Sequence, residues 1–223
     1  MGLFVPDTAV FDIDGTLVDS NYQHALAWFR AFRRFDLTMP VWRLHRAIGM
    51  GGDQFVQHVA GERTEREHGD DLRKAHGDEF DQLVDEVRPL EGARDLLEEI
   101  RRRGFRLALA TSAKRAHAEH FLDLLGGSTV ADDWVTSAEV ERTKPAPDLI
   151  DAAMHAVEGR SAVFVGDSAW DCYAAGRLGI PTLGVRTGGW AAAELFDAGA
   201  SAVYDSLPQL RSALDHTPLA AAD

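Results

Sequence analysis

Cysteine is almost missing from this chain: Cys172 is the only one in 223 residues. A single thiol excludes an intramolecular disulfide and fits a reducing compartment. Long apolar runs are missing too, and none has the length that a bilayer-spanning helix needs. The N-terminus has no basic segment followed by an apolar stretch of signal-peptide length. Together these absences make the cytoplasm the expected location. Basic charge is scarce, since 23 Lys and Arg against 36 Asp and Glu leave −13 at pH 7. Such a surface repels nucleic acid and anionic membrane, so neither is an expected partner. The one basic run, Arg101-Arg102-Arg103, closes an amphipathic segment, where the negative end of a helix dipole favours cations. Internal repeats and low-complexity stretches are absent as well. What is present is an ordinary globular composition, 45% hydrophobic and 26% charged. That is enough for one large domain or a core with a smaller companion.

Short apolar runs stop abruptly at polar residues. Ala9-Val10-Phe11 ends in Asp12-Ile13-Asp14-Gly15-Thr16, and Leu107-Ala108-Leu109-Ala110 ends in Thr111-Ser112. Ala162-Val163-Phe164-Val165 ends in Gly166-Asp167; Thr182 to Val185 is a fourth run and Ala202-Val203-Tyr204 a weak edge candidate. Each reads as a buried strand, and their alternation with helical patterns predicts an α/β fold with a doubly wound parallel sheet. Glu91 to Arg103 is the clearest helix, with Ala93, Leu96, Leu97 and Ile100 on one face and Gly104 as its stop.

Between about Ser20 and Val87 the strand pattern lapses. Ala25, Trp28, Phe29 and Phe32 form one amphipathic stripe, and Phe80, Leu83, Val84 and Val87 another. Between them lie Val41, Leu44 and Ile48, then a Gly49-Met50-Gly51-Gly52 turn that reads equally as a plain loop or as a wall of a site. The spacing predicts a small all-helical cap domain over residues 20–87, inserted after the first strand, with a catalytic core over 1–19 and 88–223. The tail from His216 to Asp223 is expected to fray.

In an open parallel sheet, ligands bind beyond the carboxyl ends of the strands. Asp12, Asp14, Thr111, Ser112, Asp167 and Asp171 all follow strand ends, and Lys144 precedes the helix expected near Pro147. Carboxylates do not crowd together unassisted, since two at ~4 Å repel by about 4 kcal/mol at an effective dielectric near 20. A hard divalent cation resolves that repulsion, and all-oxygen ligation suits Mg²⁺. The set then has the parts for phosphoryl transfer: cation and ammonium neutralise phosphoryl oxygens, and hydroxyls hold them. Asp12 and Asp14, two residues apart in an extended chain, point the same way. One can attack phosphorus while the other moves protons.

Asp12 to Ser20, Thr111-Ser112, Lys144-Pro145-Ala146-Pro147-Asp148 and Gly166 to Asp171 resemble, in order, the motifs of the haloacid dehalogenase-like hydrolase superfamily. The resemblance spans roughly residues 9 to 210 and is greatest to its phosphoglycolate phosphatase-like group. It implies a Rossmann-like core with a helical cap and a magnesium-dependent phosphatase acting on small phosphorylated metabolites through an aspartyl-phosphate. By the same resemblance Asp12 would be nucleophile and metal ligand, and Asp14 the acid/base with its backbone carbonyl on the metal. Thr111, Ser112 and Lys144 would bind the phosphoryl group, with Asp167 and Asp171 on Mg²⁺.

Other activities of the superfamily fit less well. A haloacid dehalogenase needs neither Asp14 nor the Asp167/Asp171 pair. A phosphonatase would have a small residue in place of Asp14. A phosphomutase of the beta-phosphoglucomutase type is the nearest alternative, but its relatives resemble Glu-Asp where this chain has Gly166-Asp167 and carry a cap arginine near Gly51-Gly52. A signalling receiver would place its acceptor aspartate on a later strand. His24 is expected to pack or bond locally, and Cys172 to be a small buried apolar group. Trp42 and Trp190 read equally as surface anchors or core, which leaves monomer and homodimer open.

Overall fold

A computed structural model describes residues 5–220. The chain runs β1 (Thr8–Phe11), α1 (Asn21–Arg34), α2 (Val41–His45), α3 (Gly52–Phe80), α4 (Ala93–Arg102), β2 (Arg106–Ala110), α5 (Arg115–Leu125) and β3 (Asp133–Val135). It continues α6 (Asp148–Ala156), β4 (Ala162–Gly166), α7 (Ala169–Arg177), β5 (Thr182–Val185), α8 (Ala192–Asp197), β6 (Ala200–Tyr204) and α9 (Leu207–Ala213). All strand pairings are parallel, in the order β3-β2-β1-β4-β5-β6.

β1 lies between β2 and β4, so the chain leaves it toward one edge and later returns to build the other. That reversal opens a crevice beyond the carboxyl end of β1, where Asp12 stands. Alternate residues explain why the strands read as unbroken apolar runs. Ala9 and Phe11 face a core that includes Leu96 and Ile100 of α4 and Phe121 of α5. Val10 faces the opposite layer, with Leu149 and Ile150 of α6. Both faces are covered, so no strand residue there needs to be polar.

The helices α1, α2 and α3 hold a separate apolar cluster around Trp28, Phe32, Leu44, Phe55 and Leu72. Gly61, at φ 84, breaks α3 into two segments. The insert leaves and returns at one place: Val18 and Pro89 form an antiparallel bridge. Asp19 donates its amide to Arg88 O at 2.9 Å, and Leu90 donates to Leu17 O at 2.9 Å.

Two expectations differ from the structure, and one strand has no counterpart among the apolar runs of the sequence. The stripe from Phe80 to Val87 is not one helix, because α3 ends at Phe80 and only a short 3₁₀ turn, Val84–Glu86, follows. β3 has no apolar run, since Asp133 and Trp134 precede the single buried Val135; as an edge strand it needs only partial cover. The tail is tied down as far as it is described. Leu219 is fully buried and its carbonyl accepts from Arg103, while residues 221–223 lie outside the described region.

Candidate active site

β1 carries Asp12 to its carboxyl end, and Gly15 then turns the chain at φ 74, a conformation that L side chains resist. The turn closes with Leu17 and Val18 donating amides to Ile13 O at 2.8 and 3.1 Å. β2 delivers Thr111 and Ser112, β4 delivers Asp167, and the first turn of α7 delivers Asp171. Lys144 reaches in from the loop before α6. Asp12, Asp14, Thr111, Lys144, Asp167 and Asp171 are all buried.

Two carboxylate groupings separate at once. Lys144 Nζ lies 2.5 Å from Asp12 Oδ1 and 2.8 Å from Asp171 Oδ1. Asp12, Asp167 and Asp171 each offer an oxygen, all within 4.8 Å of one another. Asp14 is held apart from this group. Its Oδ1 accepts from the Ser20 hydroxyl at 2.7 Å and lies 3.0 Å from His24 Nε2, while its Oδ2 accepts from Thr111 at 2.9 Å.

Burial pushes Asp12 well above the usual carboxylate range; Lys144 opposes that and the neighbouring carboxylates add to it. Asp167 is pushed up to about 7, by burial first and then by Asp171. Burial would lower the Lys144 ammonium, but Asp12 and Asp171 outweigh it and raise it. Burial is the largest influence on both carboxylates, and the crowding of Asp12, Asp167 and Asp171 around one ammonium adds to it, so the cluster favours binding further positive charge. Asp12 Oδ2 is buried and has no hydrogen-bond partner. The residues therefore fit a hard divalent cation. Asp14 goes the other way. Burial would raise it, but the bonds from His24, Ser20 and Thr111, with the His24 charge, hold it at about 2.

A cavity of about 270 Å³ lies between the strand ends and the helical insert. Asp12, Asp14, Ser112 and Lys144 line its floor, and Trp28 and Met50 its roof. Gly49 and Gly52 line it too, so the glycine turn is a wall of the site; Gly51 packs instead toward Thr143. The Ser112 hydroxyl is unpartnered. The Thr111 hydroxyl is already committed to Asp14, so of the expected hydroxyl pair only Ser112 presents its side chain to the cavity. Cys172 is buried, and burial with the Asp171 charge pushes its thiol up to about 12.

The residues that hold these groups carry no signal of their partners in the sequence, although His24 is expected from it to pack or bond locally. Thr16 and Asn21 bond Asp167 at 3.0 and 2.9 Å, and Ser168 bonds Asp171 through its amide and hydroxyl. Ser20 and His24 stand one helical turn apart, a spacing that marks one face of α1 toward Asp14. Asp53, at the start of α3, accepts from the hydroxyl and the amide of Thr143, the residue before Lys144. Trp190 packs beneath the Arg46 guanidinium at 3.5 Å, whereas Trp42 is 69% exposed.

A parallel sheet whose strand ends gather carboxylates around one ammonium, under a helical lid, defines a hydrolase built for phosphate esters. The chain belongs to the haloacid dehalogenase-like hydrolases: the family model described as "Haloacid dehalogenase-like hydrolase" matches residues 9–185. Within that superfamily it falls with the phosphoglycolate phosphatase-like group. The plasmid phosphoglycolate phosphatase of Cupriavidus necator is 31% identical over 227 residues, 98% of this chain and 97% of that one. Validoxylamine A 7'-phosphate phosphatase of Streptomyces hygroscopicus subsp. limoneus is 28% identical over 193 residues, 80% and 85% of the two chains. The crystal structure of a hydrolase from Pseudomonas syringae superposes with a TM-score of 0.89 at 32% identity, covering 94% of this chain and 98% of that one. The protein is a phosphatase, a phosphoric monoester hydrolase. Among the described residues, no helix is long and apolar enough to cross a membrane.

Proposed function

We propose that the protein is a Mg²⁺-dependent phosphatase of small phosphorylated metabolites that works through an aspartyl-phosphate on Asp12. The observation that carries this reading is the split between the two aspartates. Asp12 has a free buried oxygen beside Lys144, and Asp14 is fixed separately by three donors. In the first half-reaction an Asp12 oxygen attacks phosphorus, the ester bond breaks, and Asp14 gives its proton to the departing oxygen. A phosphate dianion arriving beside Asp14 raises its proton affinity by like-charge repulsion, which readies it for that role. In the second half Asp14 takes a proton from water, the water oxygen attacks phosphorus, and orthophosphate leaves with Asp12 restored.

Lys144 and the Ser112 hydroxyl bind phosphoryl oxygens, and Thr111 keeps Asp14 aimed. Mg²⁺ would be held by Asp12, Asp167, Asp171 and the Asp14 backbone carbonyl, and it supplies neutralisation of charge on the phosphoryl group. We assign residues 20–87 to the cap that selects substrate and excludes water, and 1–19 with 88–223 to the catalytic core. The cavity beneath the cap suits a small ester and not a polymer.

The test is a phosphatase screen over short phosphorylated acids and sugar phosphates, with Mg²⁺ and with excess chelator. Activity is expected with Mg²⁺ alone, and Ca²⁺ should restore little because its looser shell misplaces the reacting groups. Asp12→Asn should reduce turnover at least ~10³-fold. Near-normal turnover in that variant would overturn the mechanism.

A further inference from the structure

We propose that Asn21, the first residue of α1, is a positioning residue for the divalent cation, acting through Asp167. The inference rests on the reading of Asp12, Asp167 and Asp171 as the cation's ligands.

Asp167 is buried, and each of its oxygens receives one donor. The Thr16 hydroxyl donates to Oδ1 at 3.0 Å, and Asn21 Nδ2 donates to Oδ2 at 2.9 Å. Two donors at opposite oxygens fix the rotation of a carboxylate, leaving its remaining lone pairs in one defined direction. Thr16 belongs to the turn after β1 and is expected nearby. Asn21 is not: it belongs to the helical insert and lies 146 residues from its partner.

The backbone around this pair is cleared for it. A Cβ on Gly15 would come within 2.2 Å of Asn21 Nδ2 and 2.5 Å of Asp167 Oδ2. A Cβ on Gly188 would come within 1.6 Å of Asp167 Oδ2 and 2.9 Å of Asn21 Nδ2. Glycines from two separate loops thus make room for one amide–carboxylate contact.

The other end of the amide points to the same role. Asn21 is 5% exposed, and its Oδ1 is buried without a hydrogen-bond partner. A buried unpaired carbonyl is costly, and a water carried by a bound cation would supply the donor that this oxygen lacks. Asparagine is the side chain that offers a donor to Asp167 and an acceptor at its other atom. Aspartate would set a further negative charge against Asp167, and leucine would offer neither group. Because Asn21 opens α1, one hydrogen bond of the cation site is supplied by the cap's first helix.

The experiment is calorimetric titration of Mg²⁺ into the full chain without substrate. It compares the native protein with Asn21→Ala, Asn21→Leu, Asn21→Ser and Asp167→Asn. Tm in chelator identifies which variants keep the native fold; leucine preserves volume and serine preserves polarity, so the variants that stay folded decide. The Mg²⁺ Kd is expected to rise about tenfold or more in the alanine and leucine variants, less in the serine variant. Asp167→Asn should bind too weakly to titrate. Native Kd in folded Asn21 variants, with binding lost in Asp167→Asn, would overturn the role of Asn21 and leave the cation site standing. Native Kd in Asp167→Asn would instead overturn the cation site itself.

Discussion

His24 Nε2 stands 3.0 Å from Asp14 Oδ1 while the ring of the same histidine stacks on Phe80 at 3.8 Å. One side chain from α1 therefore ties the Asp14 carboxylate to the end of α3. Asp14→Asn keeps the shape of the carboxylate but leaves nothing to accept a proton from water. Turnover should fall about 10²–10⁴-fold, and with an ester whose leaving group departs without a proton, a phosphorylated Asp12 should accumulate. Mass spectrometry of acid-quenched protein reads this directly. Unchanged turnover without adduct would remove Asp14 from the mechanism.

Phe80 itself joins the insert to the core. It is fully buried, and it meets His117 at 4.8 Å and Phe121 at 6.4 Å between ring centroids. Truncation to alanine should cost about 3–5 kcal/mol in denaturant unfolding. Phe80→Leu should lose far less stability and retain most activity. Equal losses in the two would place the contribution elsewhere.

The glycine turn contains two unlike residues. A Cβ on Gly51 would sit 1.7 Å from Thr143 Oγ1, next to the loop that carries Lys144, whereas a Cβ on Gly52 meets Arg73 side-chain atoms at 3.4 Å and Trp28 at 4.0 Å, ordinary contact distances. Gly51→Ala should therefore push the cap off the core and reduce kcat/KM by roughly tenfold or more. Gly52→Ala should leave it within about twofold of native. Steady-state kinetics on the best substrate decides, and indistinguishable values for the two variants would refute the packing argument.

Asp7 gives a pH-dependent contribution away from the site. Burial would raise its carboxyl, but the amides of Ser161 and Arg160, the Thr8 hydroxyl and the Arg160 guanidinium bring it from 3.8 to about 2. A depressed folded value favours the ionised form, so the contribution is complete above pH 3.8 and fades as pH falls toward 2. Asp7→Asn should lower stability at neutral pH by about 1–2 kcal/mol, discounted for partial exposure. Urea titrations from neutral pH down to the acid range should show the gap closing. A gap that widened in acid would contradict the assignment.

Much of this was legible because the core strands are covered on both faces. Ala9-Val10-Phe11 and Ala162 to Val165 had to be apolar throughout, so their ends were marked by the first polar residues, which are also the site residues. Asp12, Asp14 and Asp167 follow from that pattern; Asp171 sits in the first turn of α7 and Lys144 in the loop before α6, which strand ends do not mark. β3 escaped because an edge strand carries Asp133 and Trp134 without penalty. The tail escaped because Leu219 enters the core alone, with no periodic neighbours to announce it. The roles of Thr16 and Asn21 were hidden for another reason. Their roles are set by partners such as Asp167, 151 and 146 residues distant from Thr16 and Asn21, and spacing within α1 does not say which loop will face it. Thr111 was placed correctly at the end of β2, but the direction of a hydroxyl is a matter of packing, and this one turns to Asp14.

The bridge between Val18 and Pro89 brings the two ends of the insert together. These ends are hydrogen-bonded neighbours, so the length of chain between them can change without parting β1 from β2 and β4. Loop-closure entropy grows only with the logarithm of that length. A lid of different size or lining can be grafted at this junction while the strand bearing Asp12 stays in register with β2 and β4. Any new insert would still have to supply what α1 gives the core here, the Asn21 bond to Asp167 and the His24 contact with Asp14.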